Sequence, residues 1–580
     1  MSKTVDVAHL LNADTLAVEI ANKWTEWNSA RHPWVEQTKE LRNYVYATDT
    51  TTTGNAILPW SNTTTTPKLT QIHDNLHANY FSTLFPQQKW MRWEADGSKS
   101  GGKEKSRTIE SYMLTKTRHS GFANTVSELL TDWILTGNCF GIVEHDTDYS
   151  TKEDGTIVAK YIGPRLYRIS PFDIVFNPVA SHFDKTPKII RSIKSMGEVK
   201  RDIDANPSNE AMQAAFKKMV EGRRTVSNSD VGVDKGRGFI ADGFGSLEAY
   251  YESDYIEILT FYGDIYDHES GDLLKDRIIT IMDRAHVLSN EENPSWLGNA
   301  PIFHAGWRTR PDNLYAMGPL DNLVGMQYRI DHLENLKADV FDQIAYPMMK
   351  VKGDVEDFEF APGGRIYLGE EGDVGYLSPD GAALQADMQI SILEQKMEEM
   401  AGAPKQAMGI RTPGEKTAFE VQSLQNSASR IFEHKTAHFE RMFLEPVLNA
   451  MLEIGRRNMK ISEEILVKSD DTGREFFLSI EKSDIVGSGK ISPIGARHFA
   501  ERARRVQSIT QLAAIKAGDP SVAPHISGKE IAKILADELG EFKLFGDNIA
   551  VKEQLETQQA MQDAEAQNQE DLMNAADGGL

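Results

Sequence analysis

Pro319-Leu-Asp-Asn-Leu-Val-Gly-Met-Gln-Tyr-Arg-Ile-Asp-His-Leu-Glu-Asn-Leu-Lys-Ala-Asp-Val-Phe-Asp-Gln-Ile-Ala-Tyr346-Pro347 carries Leu320, Leu323, Val324, Ile330, Leu333, Leu336, Val340, Phe341 and Ile344 three or four residues apart. That spacing predicts a helix over 319–345, about 26 residues and about 40 Å long. Tyr346-Pro347 should end it, because proline disfavours helical geometry in the residue before it. The stretch 348–380 then reads as a small β-turn module, with Pro362-Gly-Gly364 as its central turn and Asp380-Gly381 leading out. A shorter helix is expected over 382–400, a loop bearing Gly402, Pro404, Gly409, Pro413 and Gly414 over 401–414, and a very long helix over 415–457. Pro446 should kink that last helix near its end, since proline lacks the amide hydrogen and crowds the preceding turn.

Upstream, residues 8–46 read as two helices broken near His32-Pro33, followed by an extended Thr-rich segment over 48–66. Helical spacing returns over 68–84 and 104–136, and Gly137-Asn138 should cap the second of these. Between Phe140 and about Val287 the pattern turns to short strands, among them Phe140–Val143, Leu166–Ile169, Ile174–Phe176, Tyr255–Phe261 and Ile278–Ile281. An amphipathic helix followed by a flexible insertion is expected over 206–245. Downstream, a strand over 474–480, a basic helix over 495–516 and a short helix over 529–538 precede a Gln- and Glu-rich tail, 551–580. The fold class is therefore α+β.

Composition limits the function classes. The 580-residue chain has 63 Lys and Arg against 86 Asp and Glu, a formal charge of −23, so its average surface repels phosphate and does not suit tight wrapping of nucleic acid. Cys139 is the sole cysteine, which excludes an intrachain disulfide framework and any site needing two cysteines of one chain. No stretch reaches about 18 apolar residues and the N-terminus lacks a basic start before an apolar run, so no membrane or secretion role is expected.

Motifs for chemistry are weak. Gly487-Ser-Gly-Lys490 lacks the spacing of a phosphate-binding loop and reads as a turn. His73 with His77, and His434 with His438, stand four apart on helical segments, but neither pair has the neighbouring Glu or a third ligand of a zinc site. Glu144-His-Asp146 with Asp148, and Glu370-Glu-Gly-Asp373, do not match a calcium loop. Aromatic and basic residues alternate in Lys89-Trp-Met-Arg-Trp93 and Trp307-Arg-Thr-Arg310, a pattern that suits base stacking but is more simply a core strand with cations reaching outward. Arg497, Arg502, Arg504 and Arg505 form the best positive patch, suited to phosphate or to an acidic neighbouring subunit. No enzyme, cofactor or metal site is indicated.

With Met317-Gly-Pro-Leu320 opening the helix, the order helix, small module, helix, loop, long helix resembles the portal proteins, or head-to-tail connectors, of short-tailed double-stranded DNA phages. Ala316 stands where that family frequently has Gly. The stretch Thr417-Ala-Phe-Glu420 is similar to the opening of the family's long helix, and Tyr167-Arg-Ile-Ser-Pro-Phe-Asp-Ile-Val-Phe-Asn-Pro178 to its wing segment. The resemblance implies an elongated protomer divided into a wing body (1–315), first stem helix (316–345), clip (346–381), second stem helix (382–400), tunnel loop (401–414), long wing helix (415–457), a partly helical C-terminal wing or crown region (458–550) and an acidic tail (551–580). It further implies a homo-oligomeric ring of about twelve subunits at one capsid vertex of the virion, assembled in the host cytoplasm. The implied partners are passing double-stranded DNA, major capsid and scaffolding proteins, the terminase large subunit during packaging and tail adaptors afterwards. On this reading Lys405 and Arg411 of the tunnel loop touch DNA phosphates without reading bases. The competing classes are another virion structural protein, which has no reason to show this order of elements, and an enzyme acting on a polyanion or nucleotide, which would reveal itself by turnover.

Overall fold

Two helices open the described chain, α1 (Ala13–Ala30) and α2 (His32–Val45), with Pro33 in the first turn of α2 where its missing amide hydrogen costs nothing. The computed structural model describes residues 13–46, 62, 64–86, 90–95, 103–151, 157–204, 210–226, 254–266, 273–294, 300–353, 369, 372–377, 381–401, 431–459, 462–468 and 475–494, all within the first of two compact units, Met1–Ile494. The predicted Pro362-Gly-Gly364 turn, the loop 402–414, the first half of the long helix, the basic helix with Arg497, Arg502, Arg504 and Arg505, and the tail 551–580 lie outside the described residues. After α2 come α3 (Lys68–Leu84), strand β1 (Met91–Ala95), α4 (Lys103–His119) and α5 (Phe122–Thr136). The described fold is mixed α+β, with several helices and small antiparallel sheets.

A three-stranded sheet, order β3-β2-β9, is built from β2 (Asn138–Thr151), β3 (Ile157–Ile169) and β9 (Ile302–Gly306). Strand periodicity sorts β2 into two faces. Cys139 and Val143 join the principal core, whereas Phe140 and Ile142 enter a smaller cluster with Ile169, Phe176, Phe183 and Tyr315. The principal core gathers apolar residues of α2 to α5 and of the helix that ends at Asn458. At its centre Trp133 lies 4.5 Å from Trp307 and 4.8 Å from Phe439 between ring centroids. Gly141 lets this helix approach the sheet, since a Cβ there would sit 2.9 Å from the Phe443 ring.

A five-stranded antiparallel sheet runs in the order β4-β5-β6-β7-β8, from β4 (Ile174–Phe176), β5 (Lys188–Ser195), β6 (Tyr255–Tyr266), β7 (Leu273–Met282) and β8 (His286–Glu292). Leu259, Phe261, Ile279, Ile281 and Val287 pack under Ile20 and Trp24 of α1. The alternate residues Ile256, Ile258, Met282 and Leu288 take α6 (Met196–Asp204) and α7 (Glu210–Val226) on the other side. Both faces are thus covered, which explains the nearly continuous apolar runs of β6 and β7. Asp283 and Arg284 of the β7–β8 turn have φ of 48° and 57° and direct two buried ion pairs: Arg223–Asp283 at 2.6 Å ties α7 to the turn, and Arg284–Glu257 at 2.7 Å ties the turn to β6.

Near the end, helical residues 431–439 pass through a π-helical turn, Glu440–Leu444, into the final α-helical stretch Glu445–Asn458. Pro446 follows the π turn directly, so the expected disturbance takes the form of a widened turn that accommodates the missing amide hydrogen. Strand β14 (Gly489–Pro493) then pairs with β1, which places Gly487-Ser-Gly-Lys490 in a turn and strand, with Lys490 bound to Glu445 at 2.9 Å.

Candidate functional site

The segment Tyr315-Ala-Met-Gly-Pro-Leu320 is held from behind by the end of α5. Asn138 accepts the Ala316 N–H on Oδ1 (2.9 Å) and donates from Nδ2 to the Ala316 carbonyl (3.0 Å). His304 Nε2 lies 3.0 Å from the same Oδ1, and burial lowers the His304 pKa to about 3, so the neutral ring donates there. Gly137 caps α5 at φ 74°, and a Cβ on it would lie 2.4 Å from the backbone of Met317. That close approach admits only glycine.

Helix α8 (Val324–Ala345) follows, 22 residues and about 33 Å long. It starts five residues later than the apolar spacing predicts. Asp321 Oδ2 accepts the Gly318 N–H at 2.8 Å and stabilises a non-helical turn in which Leu320 and Leu323 are already buried, so apolar spacing outruns the helix.

One polar side of α8 carries a ladder of side chains four residues apart. Gln327 accepts the Leu69 N–H (3.2 Å) and donates to the Thr66 carbonyl (2.6 Å), while Asn335 accepts the Thr64 N–H (2.8 Å) and donates to the Thr64 carbonyl (3.0 Å). Between them Asp331 Oδ1 accepts the Thr66 N–H at 2.9 Å and the Gln327 amide at 2.8 Å. At the far end Asp339 Oδ1 accepts the Asn62 backbone and side-chain N–H groups at 2.7 and 2.9 Å. Every second residue of an extended strap is therefore tied to the helix through its main chain. A helix side chain does here what a neighbouring strand does in a sheet.

Asp331 is fully buried, and its Oδ2 meets no hydrogen-bond partner among the described residues. Burial pushes its carboxyl up to about 6 from an ordinary 3.8, against the pull of the Thr66 N–H and the Gln327 amide. A folded-state pKa raised above the unfolded one means stability that is present when the acid is protonated and is lost as pH rises through about 6. We expect thermal unfolding of the wild type to lose stability between about pH 4 and 6, the span from the ordinary to the raised pKa, relative to Asp331→Asn, which keeps the neutral form throughout. Parallel pH profiles of the two proteins would contradict this.

Beyond α8 the chain forms a hairpin of β12 (Met348–Lys352) and β13 (Asp373–Leu377), then a 3-10 turn, Gly381–Ala386, and helix α9 (Asp387–Ala401). Lys337 bridges α8 to Asp387 at 2.7 Å, and a buried pair, Lys68–Glu398 at 2.6 Å, ties α9 to the start of α3. Among the described residues, the outer end of this helix–hairpin–helix element exposes many large apolar side chains. Phe341 is 63% exposed, Tyr346 78%, Met348 74% and Met388 75%, joined by Ile344, Val351, Leu377 and Ile392. Ordinary surfaces scatter such residues singly, and their concentration on one small element suits an interaction site.

The residues singled out for chemistry serve the fold where they are described. Trp90, Trp93 and Trp307 are buried, so they do not offer stacking faces, whereas Arg308 and Arg310 reach outward from β10 (Arg308–Arg310), paired with β11 (Asn313–Met317). His73 and His77 lie parallel with centroids 6.3 Å apart, and His77 Nε2 is 3.0 Å from the Ser127 hydroxyl. Asp146 pairs with Arg165 at 2.8 Å, and among the described residues no group of three or more acidic, His or Cys side chains is placed to hold a metal. A cleft of about 550 Å³ between the two sheets is lined by Glu144, Arg168, Asp173, Arg191 and Tyr262. Its arginines are committed, Arg168 to Asp132 at 2.5 and 2.8 Å and Arg191 to Asp173 at 3.0 and 2.9 Å. Comparison with models of known protein families and with curated proteins gives no match. The tunnel-loop residues Lys405 and Arg411 and the four arginines from Arg497 to Arg505 lie outside the described residues, so the ladder and the apolar helix–hairpin–helix are the candidate site.

Proposed function

We propose that this chain is the subunit of a portal, a closed ring at one capsid vertex through which double-stranded DNA enters and leaves a short-tailed phage particle. The observation that carries the reading is the exposed apolar end of the α8–hairpin–α9 element. A monomer has no use for Phe341, Tyr346, Met348 and Met388 in water, and the same residues repeated about an axis bury one another. In the proposed ring α8 and α9 form the stem, the β12–β13 hairpin belongs to the clip, and the helix through Asn458 runs into the wing. Capsid and scaffolding proteins would surround the ring, the terminase large subunit would dock on the clip during packaging, and tail adaptors would replace it. DNA contact is transient and independent of sequence, with Lys405 and Arg411 as its nearest phosphate partners and the acidic remainder of the wall keeping the duplex from sticking. Catalysis plays no part. Electron microscopy of the purified chain tests the reading: closed rings with a central channel support it, and open chains or monomers refute it.

A further inference from the structure

The cleft between the two sheets contains a charge that the fold does not match. Ile142 and Glu144 of β2 reach it from the three-stranded sheet. Ile190, Ser192, Thr260 and Tyr262, which share one face of β5 and β6, reach it from the five-stranded sheet. The cations around it are each held by an aspartate: Arg168 by Asp132 at 2.5 Å, Arg191 by Asp173 at 2.9 Å, Arg165 by Asp146 at 2.8 Å and Lys194 by Asp202 at 2.9 Å. Glu144 has no ion-pair partner among the described residues. Arg165 stands directly across from it in the β2–β3 ladder, yet turns to Asp146 and to the Tyr161 ring, 5.0 Å from its centre. The walls of the cleft raise the Glu144 carboxyl above its ordinary range, Asp146 adds to the shift, and Lys194 opposes it. Among the described residues the hydroxyls of Ser192, Thr260 and Tyr262 make no hydrogen bond.

One carboxylate without a counter-ion, beside isoleucine side chains and three hydroxyls, in a cleft of about 550 Å³, complements a cation with an aliphatic body. We infer that this cleft binds an alkylammonium or guanidinium group, whose N–H donors meet Glu144 and the hydroxyls while its methylenes lie against Ile142 and Ile190. An anion suits the cleft less, because Arg168 and Arg191 would have to give up Asp132 and Asp173 to receive it. A metal ion suits it less as well, since a hard cation takes several oxygen ligands and one carboxylate supplies too few. The cation has two possible sources, a free small amine and a Lys or Arg side chain of a partner protein. All the walls belong to one chain, so the site does not depend on the proposed ring.

Ligand-observed NMR titrations of the purified full-length chain test the site with n-butylamine hydrochloride and, separately, with the peptide acetyl-Gly-Lys-Gly-amide. n-Butanol, with the same carbon chain and no charge, is the control. Saturable binding of a cation is expected, with butanol weaker by about tenfold or more, because hydrogen bonds to ionised groups are the strong ones. Binding of butylammonium assigns the cleft to a free amine, and binding of the peptide alone assigns it to a partner's side chain. Glu144→Gln keeps the shape and removes the charge, so it should weaken the bound cation by about tenfold or more with an unchanged circular dichroism melt. Asp148→Asn, an equal loss of charge farther along β2, should bind as wild type. Binding of neither cation, binding of butanol as tight as that of butylammonium, or wild-type affinity in Glu144→Gln overturns the inference. The first two outcomes are read on the wild type, so a folding defect in the variant cannot obscure them.

Discussion

Replacing Phe341, Tyr346 and Met348 together with serine is expected to leave the isolated subunit as stable as before and to abolish its assembly. All three side chains are mostly exposed in the single chain, so their loss removes little burial, and surface changes of this kind stay within about 0.5 kcal/mol. In an assembled interface each would bury apolar area worth ~1.5 kcal/mol or more, so three together cost about a thousandfold in association. Light scattering at matched concentrations reads the change. A triple variant with wild-type mass would show that this apolar end faces solvent or another partner, and not a second copy.

Changing both Gln327 and Asn335 to alanine is expected to be the most damaging alteration within the subunit. Each amide satisfies a main-chain N–H and a carbonyl of the strap, so the double variant orphans donors and acceptors at Thr64, Thr66 and Leu69. Orphaned buried groups cost ~1–3 kcal/mol each, and with water re-entering the exposed end a total of about 2–5 kcal/mol is expected. Limited proteolysis should then cut near residues 62–69 faster than in the wild type. Thr64→Ala provides the control: the ladder grips the main chain at 64, and that side chain is exposed, so its removal should change stability by less than about 0.5 kcal/mol. Equal protease sensitivity of wild type and double variant would remove the ladder's structural role.

The strap also marks where sequence reasoning stopped. Thr-rich 48–66 reads correctly as non-helical at its described end, and Gln327, Asp331, Asn335 and Asp339 are visibly four apart. Yet polar residues at helical spacing ordinarily mean a solvated face, and nothing in one sequence says that an extended main chain lies along it. The apolar stripe of the same helix has the opposite ambiguity. Ile330, Leu333 and Val340 are buried while Leu336, Phe341 and Ile344 are exposed, so periodicity located the helix without separating the face that meets the body from the face left open. Strands with short apolar runs bounded by turn residues, such as Ile174–Phe176 and Tyr255–Phe261, and the Gly137 cap were legible because local chemistry decides them. Lys188–Ser195 and Ile302–Gly306 were not, since each owes its pairing to strands distant in sequence, β6 in one case and β2 in the other.

End-on class averages of the purified full-length chain, taken by electron microscopy at low salt and again at 0.5 M salt, bear most directly on the portal reading. Closed rings of one symmetry around an open channel are expected at both, because apolar burial at Phe341, Tyr346, Met348 and Met388 is insensitive to screening while the charged contacts are weakened by it. Monomers, two-fold dimers or open filaments as the dominant species would contradict it.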